Sequence, residues 1–257
     1  MPPTKKSLGQ HWLDDDASLE AMCVAADVRP GDTVLEVGPG PGALTQKLAA
    51  RADRVVAVEF DHELAEKLAA RVPAANLEVV EQDILKFDLN TLPPGYKVAA
   101  NIPYYLTSNL LRVLCEAPNH FSMATLLIQK EVAERVCASP GNMSILSVSV
   151  QYYCAVGLGP LVPARLFTPP PKVDSQILCL EYRARPLFVD VDTKIFFRVV
   201  KAGFAQRRKT LLNSLSAGLH LSREETMAAL ERAAIAPSTR AQNLGLEQWH
   251  ALYTALQ

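Results

Sequence analysis

Thr33-Val34-Leu35-Glu36-Val37-Gly38-Pro39-Gly40-Pro41-Gly42-Ala43 is an almost unbroken apolar run that gives way to three alternating glycines. An apolar run of this length bounded by turn residues reads as a buried strand. Glycines directly after it allow a tight turn and a close approach of a ligand to the main chain. Four more strand-like runs follow, at Val55–Glu59, Leu77–Asp83, Lys97–Ile102 and Ala124–Gln129, with starts about 20 to 27 residues apart. Amphipathic segments such as Asp61–Val72 and Thr107–Ala117 fill the gaps. Apolar strands alternating with helices specify an α/β fold with a mostly parallel sheet covered on both faces.

Past this region the pattern changes. From Ser144 to Arg183 the chain reads as strand-rich, interrupted by Pro169-Pro170-Pro171, which suggests the antiparallel end of a mixed sheet. Arg183-Ala184-Arg185-Pro186 is the best linker, and everything beyond it reads helical. Thr193–Phe204 places Ile195, Phe196, Val199 and Val200 at helical spacing. Ser222 with Glu225 forms a capping box that opens a helix over Arg223–Ile235, and Trp249, Leu252, Tyr253 and Leu256 share one face of a last helix. The expected division is an α/β domain over 1–185 and a small all-helical domain over 186–257.

Composition narrows the class. Hydrophobic residues at 49% against 21% charged describe a folded globular chain, and no run reaches the roughly 18 apolar residues of a membrane span. The N-terminus lacks the apolar stretch of a secretory leader. Cys23, Cys115, Cys137, Cys154 and Cys179 are widely spaced without a C-x-x-C pair, and His62, His120, His220 and His250 lack ligand spacing. The reading is a cytoplasmic protein with reduced thiols, no membrane partner and no metal. Net charge is −1, but residues 1–182 carry 15 Lys+Arg against 21 Asp+Glu, and 183–257 carry 11 against 6. A basic tail of this kind either meets phosphate or is a solvated helix surface.

The glycine stretch formally matches G-x-G-x-x-A, which leaves a dinucleotide site, another nucleoside site or a plain strand-to-helix turn open. Glu36 precedes the glycines, Glu59 ends the next strand where a carboxylate can accept ribose hydroxyls, and Asp83 ends the third, within reach of an adenine amine. Asn101-Ile102-Pro103-Tyr104 ends the fourth strand. The exocyclic amine of adenine is a poor nucleophile because its lone pair is delocalised into the ring. An amide oxygen from Asn101 and the Pro103 carbonyl, each accepting one N–H, favour a pyramidal nitrogen with the lone pair exposed, and Tyr104 can stack on the base. An ordinary Asn-x-Pro turn is the competing reading of these four residues.

Together these segments resemble the ribosomal RNA adenine N6-dimethyltransferases, enzymes dependent on S-adenosylmethionine. Glu36–Gly42 is similar to their cofactor loop and Asn101–Tyr104 to their catalytic loop. Lys5–Leu13 resembles the family's N-terminal signature, with Trp12 where Phe is usual, and Phe167–Ser175 resembles another signature. Phe204–Asn213 is similar to a tail segment of the KsgA branch. The resemblance implies a Rossmann-like methyltransferase fold and transfer of up to two methyls to each of two adjacent adenines near the 3′ end of small-subunit (16S) ribosomal RNA, within a partly assembled subunit. By matching position it implies cofactor contacts from His11, Leu13, Glu36, Gly38, Gly40, Glu59, Asp83 and Asn101. The target base would be shaped by Asn101, Pro103 and Tyr104, with Phe167 stacking opposite Tyr104. Lys5, Lys6, Arg207, Arg208 and Lys209 are candidates for phosphate contacts, the last three at the opening of a helix, and the helical domain over 186–257 is expected to dock on the RNA or the ribosome. Between Pro140 and Ser147 the chain is shorter than the family pattern and lacks its Tyr-Gly-Arg element. The alternatives are methylation of a large-subunit adenine, against which Gln206–Asn213 argues, a dehydrogenase, for which Asn101–Tyr104 has no use, and a non-catalytic ribosome-assembly factor.

Overall fold

The computed structural model describes residues 2–5, 8–206 and 208–257, and the chain divides into two compact units. The first comprises residues 1–134 and Cys154–Tyr182. Its strands are β1 (Trp12–Leu13), β2 (Thr33–Val37), β3 (Arg54–Glu59), β4 (Leu77–Glu81), β5 (Lys97–Asn101), β6 (Met123–Gln129), β7 (Cys154–Val162), β8 (Phe167–Thr168) and β9 (Ser175–Tyr182). Seven of them form one sheet in the order β4-β3-β2-β5-β6-β9-β7, and β1 pairs with β8 apart from it. The first five are parallel, and β9 and β7 are antiparallel additions. Strand order reverses between β2 and β5, so the loops after these strands diverge and leave a crevice at the carboxyl edge.

Helices α1 (Asp16–Ala25), α2 (Ala43–Ala49), α3 (His62–Arg71) and α4 (Thr107–Glu116) pack in this unit. Leu19, Met22 and Cys23 of α1 and Leu44 and Leu48 of α2 share one buried cluster with Val34, Val55, Ala99 and Leu127 of the sheet. Leu110, Leu111 and Leu114 of α4 are buried, each stabilising the fold by about 1.5–3 kcal/mol relative to exposure. The α3 helix starts where Asp61 caps it, accepting from the Glu63 amide.

The second unit gathers residues 135–153 with 183–257. Helix α5 (Lys130–Val136) runs through the sequence boundary at 134/135; α6 (Ile145–Tyr153) comes before the linker, and α7 (Thr193–Phe204), α8 (Leu211–Leu219), α9 (Arg223–Arg232) and α10 (Leu246–Ala255) follow it. Val148 and Tyr152 of α6 join Phe196, Val200, Leu215 and Trp249 in one core. A cut at 185/186 therefore does not divide the chain as expected, because 135–153 belongs with the helical unit. The strand reading from Ser144 is corrected for the same reason. Ile-Leu-Ser-Val-Ser-Val alternates like a strand, yet Val148 and Tyr152 are four apart on one helical face, and the Ser147 amide donates to the Ser144 hydroxyl at 3.2 Å, capping the turn. The short segment from Gly141 is held in this unit by the Gly141 and Met143 amides, which donate to the Gln242 carbonyl at 2.9 and 3.0 Å.

Candidate active site

A cavity of about 330 Å³ opens at the carboxyl edge of the sheet, within the size range of small-molecule sites. The turn between β2 and α2 forms its floor. Gly38 has φ +65° and its amide donates to the Val58 carbonyl at 2.9 Å. A Cβ placed on Gly38 would meet nothing within 4 Å, so the main chain there faces open cavity. At Gly42, φ +95°, a Cβ would sit 2.7 Å from Val72 and 2.9 Å from Leu68. One glycine thus opens the floor to a ligand, and another lets α3 pack against the turn. The indole of Trp12 covers Gly40, where a Cβ would lie 2.8 Å from the ring.

The acids behave differently from one another. Glu36 is buried, and its Oε2 has no hydrogen-bond partner. Burial pushes its carboxyl up to about 8; the nearby Thr45 hydroxyl opposes the shift and the negative neighbour Glu59 adds to it. Glu59 is raised as well, again by burial, although its oxygens accept from the Gly40 amide at 3.0 Å and the Asp61 amide at 2.9 Å. Each oxygen keeps a second lone pair for a ligand hydroxyl. Asp61 goes the other way. Burial opposes its ionisation, but the Lys5 ammonium at 2.9 Å and the Gln10 amide at 3.2 Å outweigh it and hold the carboxyl below its usual range. Asp83 lies beyond the end of β4, which stops at Glu81 instead of reaching Asp83. There it caps a short 3₁₀ turn, Ile84–Lys86, by accepting from the Leu85 amide.

The loop after β5 lines the same cavity as the acids. Asn101 is half-buried at the strand end, beside Pro103 and Tyr104 on the cavity wall. The Tyr104 hydroxyl shares a 2.9 Å hydrogen bond with Ser175, and burial raises its pKa. Its ring lies 6.2 Å from that of His11, with 24° between the planes. The Nδ1 of His11 is 2.6 Å from the Pro169 carbonyl, which can only accept, so the ring proton sits on Nδ1. The β1/β8 ladder pairs Leu13 with Phe167, bringing two segments over 150 residues apart onto one wall. Phe167 is buried among Leu13, Leu19, Leu127 and Ile177 and also reaches the cavity.

Every expected cofactor and base residue therefore lines the one cavity. The basic candidates divide. Lys6 and Arg207 lie outside the described residues. Lys5 is engaged with Asp61 and, at 3.4 Å, with Glu63, because the buried Asp61 carboxylate at the start of α3 needs a cation. Arg208 and Lys209 are exposed in the helical unit, but they precede Thr210, the N-cap of α8, and do not occupy the helix's first turn. Sequence reasoning missed Phe60, Ile84, Trp12, Gln10 and Asp61. Phe60 is 63% exposed yet lines the cavity, and the signal for it and Ile84 was a large apolar side chain directly after an acid at or just beyond the end of a strand.

A doubly wound sheet with a glycine turn, three carboxyls and an Asn-x-Pro-Tyr loop on one cavity defines a Rossmann-like methyltransferase. The chain belongs to the ribosomal RNA adenine dimethylase family, whose model matches residues 2–257. It is 42% identical over 253 residues to "Ribosomal RNA small subunit methyltransferase A" of Dehalococcoides mccartyi, covering 96% of this chain and 87% of that one. Among solved structures, a dimethyladenosine transferase from Plasmodium falciparum superposes with a TM-score of 0.82 at 28% identity, covering 93% of this chain and 95% of that one. The 23S rRNA methyltransferase ErmE gives 0.77 at 32% identity, covering 95% and 99%. The family's cofactor is S-adenosylmethionine, and the cavity suits it: the orphaned Glu36 oxygen calls for a cationic or N–H donor, and the open Gly38 backbone admits close approach. No helix among the described residues is long and apolar enough to cross a membrane, and no metal-binding cluster occurs among them.

Proposed function

We propose that the chain N6-dimethylates two adjacent adenines near the 3′ end of small-subunit (16S) ribosomal RNA, in the cytoplasm, on a small subunit or an assembly intermediate. The observation that carries this reading is the Asn101–Tyr104 loop sharing one cavity with Glu36, Glu59 and Asp83. The 42% identity to a small-subunit methyltransferase supports the choice of substrate.

S-adenosylmethionine supplies a methyl group on a sulfonium, which leaves as a neutral thioether and needs no acid. Glu36, Gly38, Gly40, Glu59, Asp83, His11 and Leu13 would hold it. Asn101 Oδ1 and the Pro103 carbonyl each accept one N–H of the adenine amine, directing its lone pair outward. Tyr104 and Phe167 grip the base once it has left its stack, which offsets part of the unstacking cost. Rate acceleration comes from positioning and water exclusion. As the new N–C bond forms, the nitrogen becomes cationic and its proton passes to water. The second methylation follows once the singly methylated amine has rotated or re-entered with its one remaining N–H on one of these acceptors.

The test is methyl transfer from radiolabelled S-adenosylmethionine to unmethylated small subunits, with large subunits as control, followed by nucleoside analysis. The expected result is dimethyladenosine in the small subunit alone. Label on large-subunit RNA would replace this reading with the large-subunit one. Cofactor binding without transfer to either would make the protein a binding factor in ribosome assembly.

A further inference from the structure

The solvent face of α7 carries Lys194, Arg198 and Lys201, spaced four and three residues apart and so on one side of the helix. All three are exposed, and none is ion-paired among the described residues. They line a shallow groove whose floor is Ala202, Ala205 and Gly218. The floor is small because α8 lies tight against α7: a Cβ on Gly218 would sit 2.8 Å from that of Ala202. From Thr193 to Ser222 the sequence has six Lys or Arg and no Asp or Glu. The acids before it are occupied, Asp192 in capping α7 and Asp190 with His250 at 3.0 Å. By unit, the helical part carries 12 Lys+Arg against 6 Asp+Glu, and the α/β part 14 against 21.

Lys194 and Arg198 work against the helix that bears them, while Lys201 sits in its last turn, where a cation is favourable. A cation in the first turn opposes the helix dipole, and like charges four apart repel. A face needed only for solubility would intersperse acids. The axial rise between successive cations, about 6 and 4.5 Å, is on the scale on which phosphates follow one another along a strand.

We propose that the α7 groove binds the sugar–phosphate backbone of one strand of ribosomal RNA, through Lys194, Arg198 and Lys201. The proposal rests on the ribosomal RNA reading above and adds a phosphate site that the methyl-transfer residues do not include.

The experiment compares the full-length protein with a triple variant, Lys194→Gln, Arg198→Gln, Lys201→Gln, and with a charge-keeping one, Lys194→Arg, Arg198→Lys, Lys201→Arg. Binding to unmethylated small subunits and to protein-free small-subunit RNA is measured across a potassium chloride series, alongside KM and kcat for methyl transfer. Neutralising the three should flatten the slope of log K against log salt by about 2 on both probes. It should weaken binding roughly tenfold or more at 0.1 M salt and raise KM more than it lowers kcat. The charge-keeping variant should stay close to the unaltered protein. An unchanged slope and affinity in the neutralised variant overturns the proposal, as does equal damage in both variants. Weaker subunit binding with unaltered binding to bare RNA overturns it in favour of an acidic protein partner. Failure of the unaltered protein to methylate small subunits overturns the reading on which the groove rests, whereas methylation with an unchanged slope overturns the groove alone.

Discussion

Replacing Gly42 by alanine should destabilise the α/β unit strongly, and the same change at Gly38 should mainly damage cofactor binding. At Gly42 the residue has φ +95°, outside the compact left-handed well that an L-residue tolerates best, which costs about 1–2 kcal/mol. The new methyl would also lie 2.7 Å from Val72 Cγ2 and 2.9 Å from Leu68 Cδ1. Both neighbours are buried, and Val72 is stiff at χ1, so the overpacking adds roughly 1–3 kcal/mol. The sum is about 2–5 kcal/mol, a large share of a typical stability of roughly 5–15. Gly38, φ +65° with an empty Cβ position, should lose only about 1–2 kcal/mol, but its methyl projects into open space at a residue that lines the cavity. Urea unfolding followed by circular dichroism gives the stabilities, and calorimetric titration of S-adenosylmethionine gives the affinities. Leu68→Ala, costing about 2–5 kcal/mol alone, should cost less in the Gly42→Ala background, because it removes one of the clashing groups. A Gly42→Ala protein within 0.5 kcal/mol of the unaltered one would refute the close packing of α3 on this turn. Unchanged cofactor affinity in Gly38→Ala would refute the role of the loop floor.

Asn101→Ala removes the side-chain acceptor for the adenine amine and should lower kcat on the order of 10²-fold or more in single-turnover methyl transfer; full activity would discard that role. Phe167→Leu keeps most of the apolar volume, so the urea midpoint should report less than about 1.5 kcal/mol, while the loss of stacking should lower kcat/KM by about 5- to 150-fold. Equal stability and equal kinetics would leave Phe167 a core residue only. Glu36 holds its proton better folded than unfolded, because burial lifts its pKa from 4.5 to about 8. The stability it contributes is therefore full below about pH 4.5 and declines as pH rises towards 8. Glu36→Gln should flatten the fall in urea midpoint between pH 5 and pH 8, and parallel profiles for the two proteins would contradict the assignment.

The site's central parts were legible because each lies within one strand and the loop that follows it. Glu36–Gly42 and Asn101–Tyr104 carry their own turn chemistry, and the parallel sheet brings successive strand ends to one edge. What escaped was long-range. Two-residue strands have no periodicity, so nothing in Trp12–Leu13 announces a ladder with Phe167–Thr168. Lys5 read as a free cation because its partner Asp61 is 56 residues away. The segment 145–153 alternates like a strand because two serines fall between apolar residues; only packing against the helical unit decides for α6.

Glu36 and Glu59 on the cavity wall, and Asp61 beside Glu59, show how environment divides one chemistry into separate behaviours. Asp61 is buried yet ionised, since Lys5 and Gln10 compensate it, and it ties the N-terminal segment to α3. That tie matters because Gln10, His11, Trp12 and Leu13 all line the cavity, and the two-residue ladder to β8 is a short anchor for them. Glu36 has burial with only the nearby Thr45 hydroxyl to offset it, and so it holds its proton to higher pH. A positive charge placed beside Glu36 would draw its carboxyl back towards the ionised form. Glu59 stands between, raised by burial but kept in place by the Gly40 and Asp61 amides. The order follows from the number of donors each carboxylate has inside the protein.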